Sequence, residues 1–200
     1  MDLIGKKIGF ALTGSHCTIP EVLPEIKRIV TSGADVTAII SDAVAGTDTR
    51  FGKASDTRKF LQEVTGKPII DSILEAEPIG PKKLFDCLII APCTGNTLSK
   101  ISKGITDSTV TMAAKAHLRN ARPVVIAVST NDGLGVNATN IGALLPIKNV
   151  YFVPFGQDNP TCKPNSLVAR MNEIEDTVIK ALNGNQNQPI LVEKWRDIKS

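Results

Sequence analysis

Aromatic side chains are scarce in this chain of 200 residues, which has six Phe, one Tyr and one Trp. A core with so few large rings has to be filled by Ile, Val, Leu and Ala, the composition of buried parallel strands covered by helices. The four cysteines, Cys17, Cys87, Cys93 and Cys162, are widely spaced and form no CxxC pair. That excludes a disulfide framework or a structural zinc site of the usual spacing. The two histidines, His16 and His117, complete no ligand motif, so no metal is expected. An excess of one charge is lacking too: 23 Lys and Arg against 20 Asp and Glu leave a net +3, with no basic block. This is too little to argue for nucleic acid. No apolar run approaches the ~20 residues of a membrane helix. The start, Met1-Asp2-Leu3-Ile4-Gly5-Lys6-Lys7, has none of the parts of a secretory signal. The expectation is a cytoplasmic protein of one domain, long enough to bury roughly 70% of its unfolded surface.

Apolar runs alternate with amphipathic stretches, the signature of βα units. Strands are expected at Lys7 to Leu12, Val36 to Ile40, Cys87 to Ile90, Val124 to Val128 and Val150 to Val153. Ala91-Pro92 is expected to break the third, and Lys67 to Ile70 reads as a short edge strand. Helical spacing covers Glu21 to Thr31, Ser55 to Val64, Thr97 to Lys103, Thr109 to Leu118 and Val136 to Leu145. Pro154 to Pro164 reads as a long connection. Leu167 to Leu182 reads as the longest amphipathic helix, capped by Asn165-Ser166 and carrying Leu167, Met171, Ile174, Val178, Ile179 and Leu182 on one face. The expected architecture is a three-layer α/β domain of Rossmann or flavodoxin-like type over residues 1–183, with a mainly parallel sheet. Residues 184–200 are expected to form a loose surface tail or an oligomer arm.

In such a sheet ligands sit beyond the C-terminal ends of the strands. Small polar residues fall at those ends: Thr13-Gly14-Ser15-His16, Ser41-Asp42, Thr94-Gly95-Asn96-Thr97 and Ser129-Thr130-Asn131. There is no GxGxxG fingerprint and no GxxxxGK[ST] loop. A Gly-Ser turn before a helix can still hold one phosphate, through close backbone approach, a hydroxyl and the helix N-terminus; it can equally be a plain turn with Ser as cap. Thr94 and Asn96 suit either a planar heterocycle or helix capping. His16 is placed to face a ligand, whereas His117 lies among apolar neighbours and reads as structural. Cys17 and Cys93 have no adjacent base and read as inert thiols. Arg50, Lys53 and His16 are candidates for binding a carboxylate-rich substrate, and Lys100 and Lys103 read as solvated.

Thr13-Gly14-Ser15, Ser41, the loop Pro92-Cys93-Thr94-Gly95-Asn96-Thr97 and the element Gly104-Ile105-Thr106-Asp107 resemble the flavoprotein family that contains the flavin-dependent cysteine decarboxylases. The likeness spans about Lys6 to Leu182. Longer strings, among them Thr130-Asn131-Asp132-Gly133-Leu134-Gly135, Tyr151 to Asp158 and Lys163 to Ala169, place it in one branch of that family. The resemblance implies FMN, with Gly14, Ser15 and Ser41 at its phosphate and Thr94, Asn96 and Thr97 along the ring. Ser129, Thr130 and Asn131 would lie opposite. It further implies a homo-oligomer, a small dicarboxylate substrate to be oxidised, and a second protein chain that brings NADP. The family also offers a decarboxylase reading and the reading of a non-catalytic binding protein that activates its partner. The decarboxylases' histidine ahead of the third strand is missing, where Pro78 and its neighbours stand. Their Pro-x-Met-Asn loop is replaced by Ser129-Thr130-Asn131-Asp132. No catalytic base can be assigned.

Overall fold

The computed structural model describes residues 3–193. Five strands run parallel: β1 (Lys7–Leu12), β2 (Asp35–Ile40), β3 (Cys87–Cys93), β4 (Val124–Thr130) and β5 (Val150–Phe152). Strand β7 (Lys163–Ala169) pairs antiparallel with β4 and with β6 (Phe155–Asn159), giving the order β2-β1-β3-β4-β7-β6, with β5 also on β4. The parallel strands follow the flavodoxin-like order 2-1-3-4-5. β3 is buried along its whole length, as a central strand covered on both faces must be. Helices α1 (Ile19–Thr31) and α8 (Ile174–Leu182) pack on each other, and Arg28 Nε bonds Glu175 Oε2 at 2.6 Å between them. Helices α4 (Ile73–Ala76), α5 (Gly95–Ser102), α6 (Thr109–Leu118) and α7 (Asn137–Leu144) form a second contiguous group. Two further helices, α2 (Asp42–Gly46) and α3 (Ala54–Thr65), follow β2. The core is aliphatic: Ile8, Leu12, Ile26, Ile39, Leu88, Ile126 and Val128 are all sealed, with Phe10 and Phe152 the rings among them. No helix among the described residues is long and apolar enough to cross a membrane.

Three expectations need correction. β3 does not end at Ala91-Pro92: it runs through that cis bond to Cys93, with its pairing to β4 shifted in register between Ile90 and Cys93. The helix expected from Leu167 to Leu182 starts only at Ile174, after a 3₁₀ turn over Met171–Glu173. Its first part is β7, because β4 outruns β5: Ile126 pairs with Phe152, but Ser129 and Thr130 pair with Val168 and Leu167. The edge of β4 left open beyond β5 needs hydrogen-bond partners, and the hairpin β6–β7 supplies them from the expected connection. Finally, the segment after α8 is docked as far as it is described. Gln186 Nε2 donates to Phe152 O and its Oε1 accepts from Phe152 N, Asn187 is buried, and Leu191 bridges to Phe155. Residues 194–200 lie outside the described part.

Candidate functional site

The loops that leave the C-terminal ends of β1, β3 and β4 meet the β6–β7 hairpin around a cleft of about 860 Å³, within the size range of small-molecule and cofactor sites. The β1 turn contributes Gly14, Ser15, His16, Cys17 and Thr18, and the β3 turn contributes Thr94, Gly95 and Asn96. The end of β4 and its loop add Ser129, Thr130, Asn131 and Asp132, and the hairpin adds Asp158, Lys163, Ser166 and Val168. Thr49 and Phe51, from a turn closed by the Thr49–Gly52 bridge, stand at the mouth.

Hydroxyl groups tie these ends together. Ser129 Oγ lies 2.8 Å from both Ser15 Oγ and Thr18 Oγ1, which are 3.2 Å from each other, closing a ring of three hydroxyls between β1 and β4. Thr13 Oγ1 donates to Pro92 O at 2.6 Å and accepts from Thr94 N at 2.9 Å, which fixes the β3 turn against β1. Thr94 caps α5 by accepting from Thr97 N and passes its own proton to Thr97 Oγ1. Gly14 is needed because a Cβ there would stand 2.9 Å from Ala43 Cβ. Lys163 is paired with Asp158 at 2.9 Å, and that hydrogen bond and charge hold its ammonium above the usual lysine range.

Of the residues singled out in the sequence, Gly14, Ser15, His16, Thr94, Asn96, Ser129, Thr130 and Asn131 all line the cleft. Thr97 is buried behind Thr94. Ser41 stands at the end of β2, level with Thr13, outside the lining, and its buried Oγ has no hydrogen-bond partner. Lys53 lines a small side pocket shared with His16 and Phe51, and the Arg50 guanidinium stacks 4.8 Å from the Phe51 ring centre. Neither of these two cations lines the cleft. Cys93 is buried with its thiol pushed up by burial, whereas Cys17 is exposed at the cleft. His117 is buried on α6 with Nε2 unpartnered.

The residues missed by sequence reasoning are Asp132 and Asn137, and the hairpin group Asp158, Lys163 and Ser166. The helical reading of Leu167 onward hid the hairpin. The only signal for it was the pair of matching strings at Tyr151 to Asp158 and Lys163 to Ala169.

The family model described as Flavoprotein matches residues 2–184. The B subunit of the Bacillus subtilis dipicolinate synthase is 52% identical over 195 residues, 98% of each chain. The crystal structure of the corresponding B subunit from Bacillus halodurans is 54% identical and superposes with a TM-score of 0.90, covering 97% of this chain and all of that one. The fold is shared more widely. Burkholderia xenovorans DmrB, solved in complex with FMN, superposes with a TM-score of 0.66 at 15% identity, over 89% of this chain and 96% of its own.

Proposed function

The chain belongs to the Flavoprotein family, and from that premise we propose that it is the B subunit of a dipicolinate synthase, holding FMN in the cleft. The observation that carries this is the 52% identity over 98% of both chains, an end-to-end match rather than a shared motif. The cleft fits the cofactor. It is large enough for a mononucleotide, and it is lined by short hydroxyl and amide side chains. Gly14 and Ser15 hold the phosphate from within the cleft, whereas Ser41, expected beside them, stands behind the lining with its buried Oγ unpartnered. Thr94, held by Thr97, and Asn96 lie along one side of the ring; Ser129, Thr130 and Asn131 lie along the other. A bound flavin supplies a two-electron hydride acceptor.

The chain works with the synthase's other component, the A chain, which brings NADP. Together they oxidise a dihydrodipicolinate precursor to dipicolinate in the cytoplasm of a sporulating mother cell, and this chain assembles as a homo-oligomer. In this reading His16 and Lys163 are the cleft's donors to the substrate carboxylates. Arg50 and Lys53 reach the substrate only from the mouth. The missing decarboxylase histidine, with His117 buried on α6, speaks against an independent decarboxylase. Reconstitution tests the proposal: the two purified components with precursor and NADP, with and without FMN. Product formation should need this chain and rise with FMN. A full rate in the absence of this chain overturns it.

A further inference from the structure

Asp132 is a carboxylate in the cleft whose two oxygens are both engaged. Asn137 Nδ2 lies 2.9 Å from Oδ1 and 2.9 Å from Oδ2, and Thr130 Oγ1 donates to Oδ1. The Asn137 amide is itself oriented, because its Oδ1 accepts from Asn140 Nδ2 at 2.9 Å. Each link has one sense, since a carboxylate holds no proton to give. Thr130 therefore commits its only hydroxyl proton to Asp132, and toward any further group its Oγ1 can only accept. The ring of Ser15, Thr18 and Ser129 differs, because either partner in each of its contacts can donate. Gly95 lets α5 approach this pair closely, since a Cβ there would stand 2.6 Å from Thr130 Oγ1.

We propose that Asp132 is a positioning residue that makes Thr130 Oγ1 an obligate acceptor, so that the cleft selects a ligand presenting a ring N–H at this edge. The inference rests on the flavin reading above. The N–H belongs either to the imide of the flavin ring or to a reduced heterocyclic dicarboxylate. A free hydroxyl would greet donors and acceptors alike. A committed one beside a carboxylate rejects a carbonyl or carboxylate oxygen, and that rejection is where selectivity comes from.

The test is equilibrium binding to the full chain with two pairs of probes. One pair is FMN and 3-methyl-FMN; the other is piperidine-2,6-dicarboxylate, which carries an N–H, and pyridine-2,6-dicarboxylate, which does not. The wild type should prefer the N–H member of one pair by about tenfold, the size of one hydrogen bond, and the pair that discriminates identifies the source. Thr130→Ser should keep the preference. Thr130→Val, matched in shape, should weaken only the N–H member. Asp132→Asn, which can donate as well as accept, should lose the preference with Thr130 still present. Equal binding within both pairs by the wild type, or a Thr130→Val variant that discriminates as well as the wild type, overturns the inference alone. Binding of none of the four probes overturns the flavin reading and this inference with it.

Discussion

Ser15 Oγ and Ser129 Oγ meet at 2.8 Å across 114 residues of sequence, joining the turn after β1 to the end of β4. Thr18 Oγ1, 2.8 Å from Ser129, completes the contact on the floor of the cleft. Hydroxyls buried together in this way stabilise the fold only while all are satisfied. Ser129→Ala should lower stability by about 1–2 kcal/mol, read as a fall of about 2–8 °C in Tm. Ser15→Ala in the same background should add less than it costs alone, because the two share one contact. Strict additivity in the double-mutant cycle would show the ring to be energetically idle.

Gly95 stands where three polar groups converge. A Cβ at this position would lie 2.5 Å from Asn137 Nδ2, 2.6 Å from Thr130 Oγ1 and 2.9 Å from Asp132 Oδ1. Gly95→Ala should therefore cost about 1–3 kcal/mol through overpacking, although alanine is the better helix former. Gly142 in α7 is the control, with nothing within 4 Å of its Cβ position. There the same change should be neutral or stabilising by up to about 1 kcal/mol. Thermal or urea unfolding of the two variants separates them. Equal effects would remove the steric argument.

The parallel half of the fold was legible because its strands are continuous apolar runs and its helices have clear periods. The helix expected from Thr109 to Leu118 has those bounds in the fold, where Ser108 caps it. The antiparallel hairpin was not legible. Leu167, Met171, Ile174 and Val178 keep a helical period, yet Leu167, Val168 and Ala169 are all buried as a strand. A short apolar run carries no periodicity that tells the two apart; the partner that decides is Ser129-Thr130, which lies far back in the sequence. The site divided along the same line. The strand-end turns Gly14-Ser15, Thr94-Asn96 and Ser129-Asn131 were visible, because topology places ligands there. Lys163 and Ser166 were hidden by the wrong secondary structure. Asp132 was passed over because its neighbours Asn137 and Gly95 are brought to it only by the folded chain.

The cysteines sort by burial. Cys17 and Cys162 are exposed, while Cys87 and Cys93 are sealed, and burial pushes both of those thiols far up. A thiol held in its neutral form away from solvent is a poor nucleophile. A disulfide-exchange reagent should titrate two thiols in the native protein and all four in guanidinium. Because Cys17 lines the cleft and Cys162 does not, FMN should slow labelling of Cys17 and leave Cys162 unchanged in peptide mapping. Fast native labelling of Cys93 would contradict the packing of β3.

His117 ties stability to pH. It is 1% exposed on α6, and its Nε2 has no partner. Burial, aided by the positive charge of Arg122, lowers its pKa from 6.5 to about 4, against smaller opposing effects from the Pro123 backbone and Asp86. Between those two values the unfolded chain binds a proton that the folded chain does not, so stability rises with pH across this window. The contribution is complete above the unfolded value of 6.5 and is lost as pH falls toward 4. From pH 7 to pH 4.5 the loss from this one group should be about 2–3 kcal/mol. Carboxylates begin to titrate at the acid end of the same range, so the wild type alone does not isolate the histidine. His117→Gln does, since a glutamine is neutral throughout. Urea unfolding at several pH values should find the wild type losing stability more steeply than the variant between pH 6.5 and 4.5, with parallel behaviour above pH 7. Identical slopes for the two proteins across the window would mean that His117 is protonated as readily in the fold as outside it.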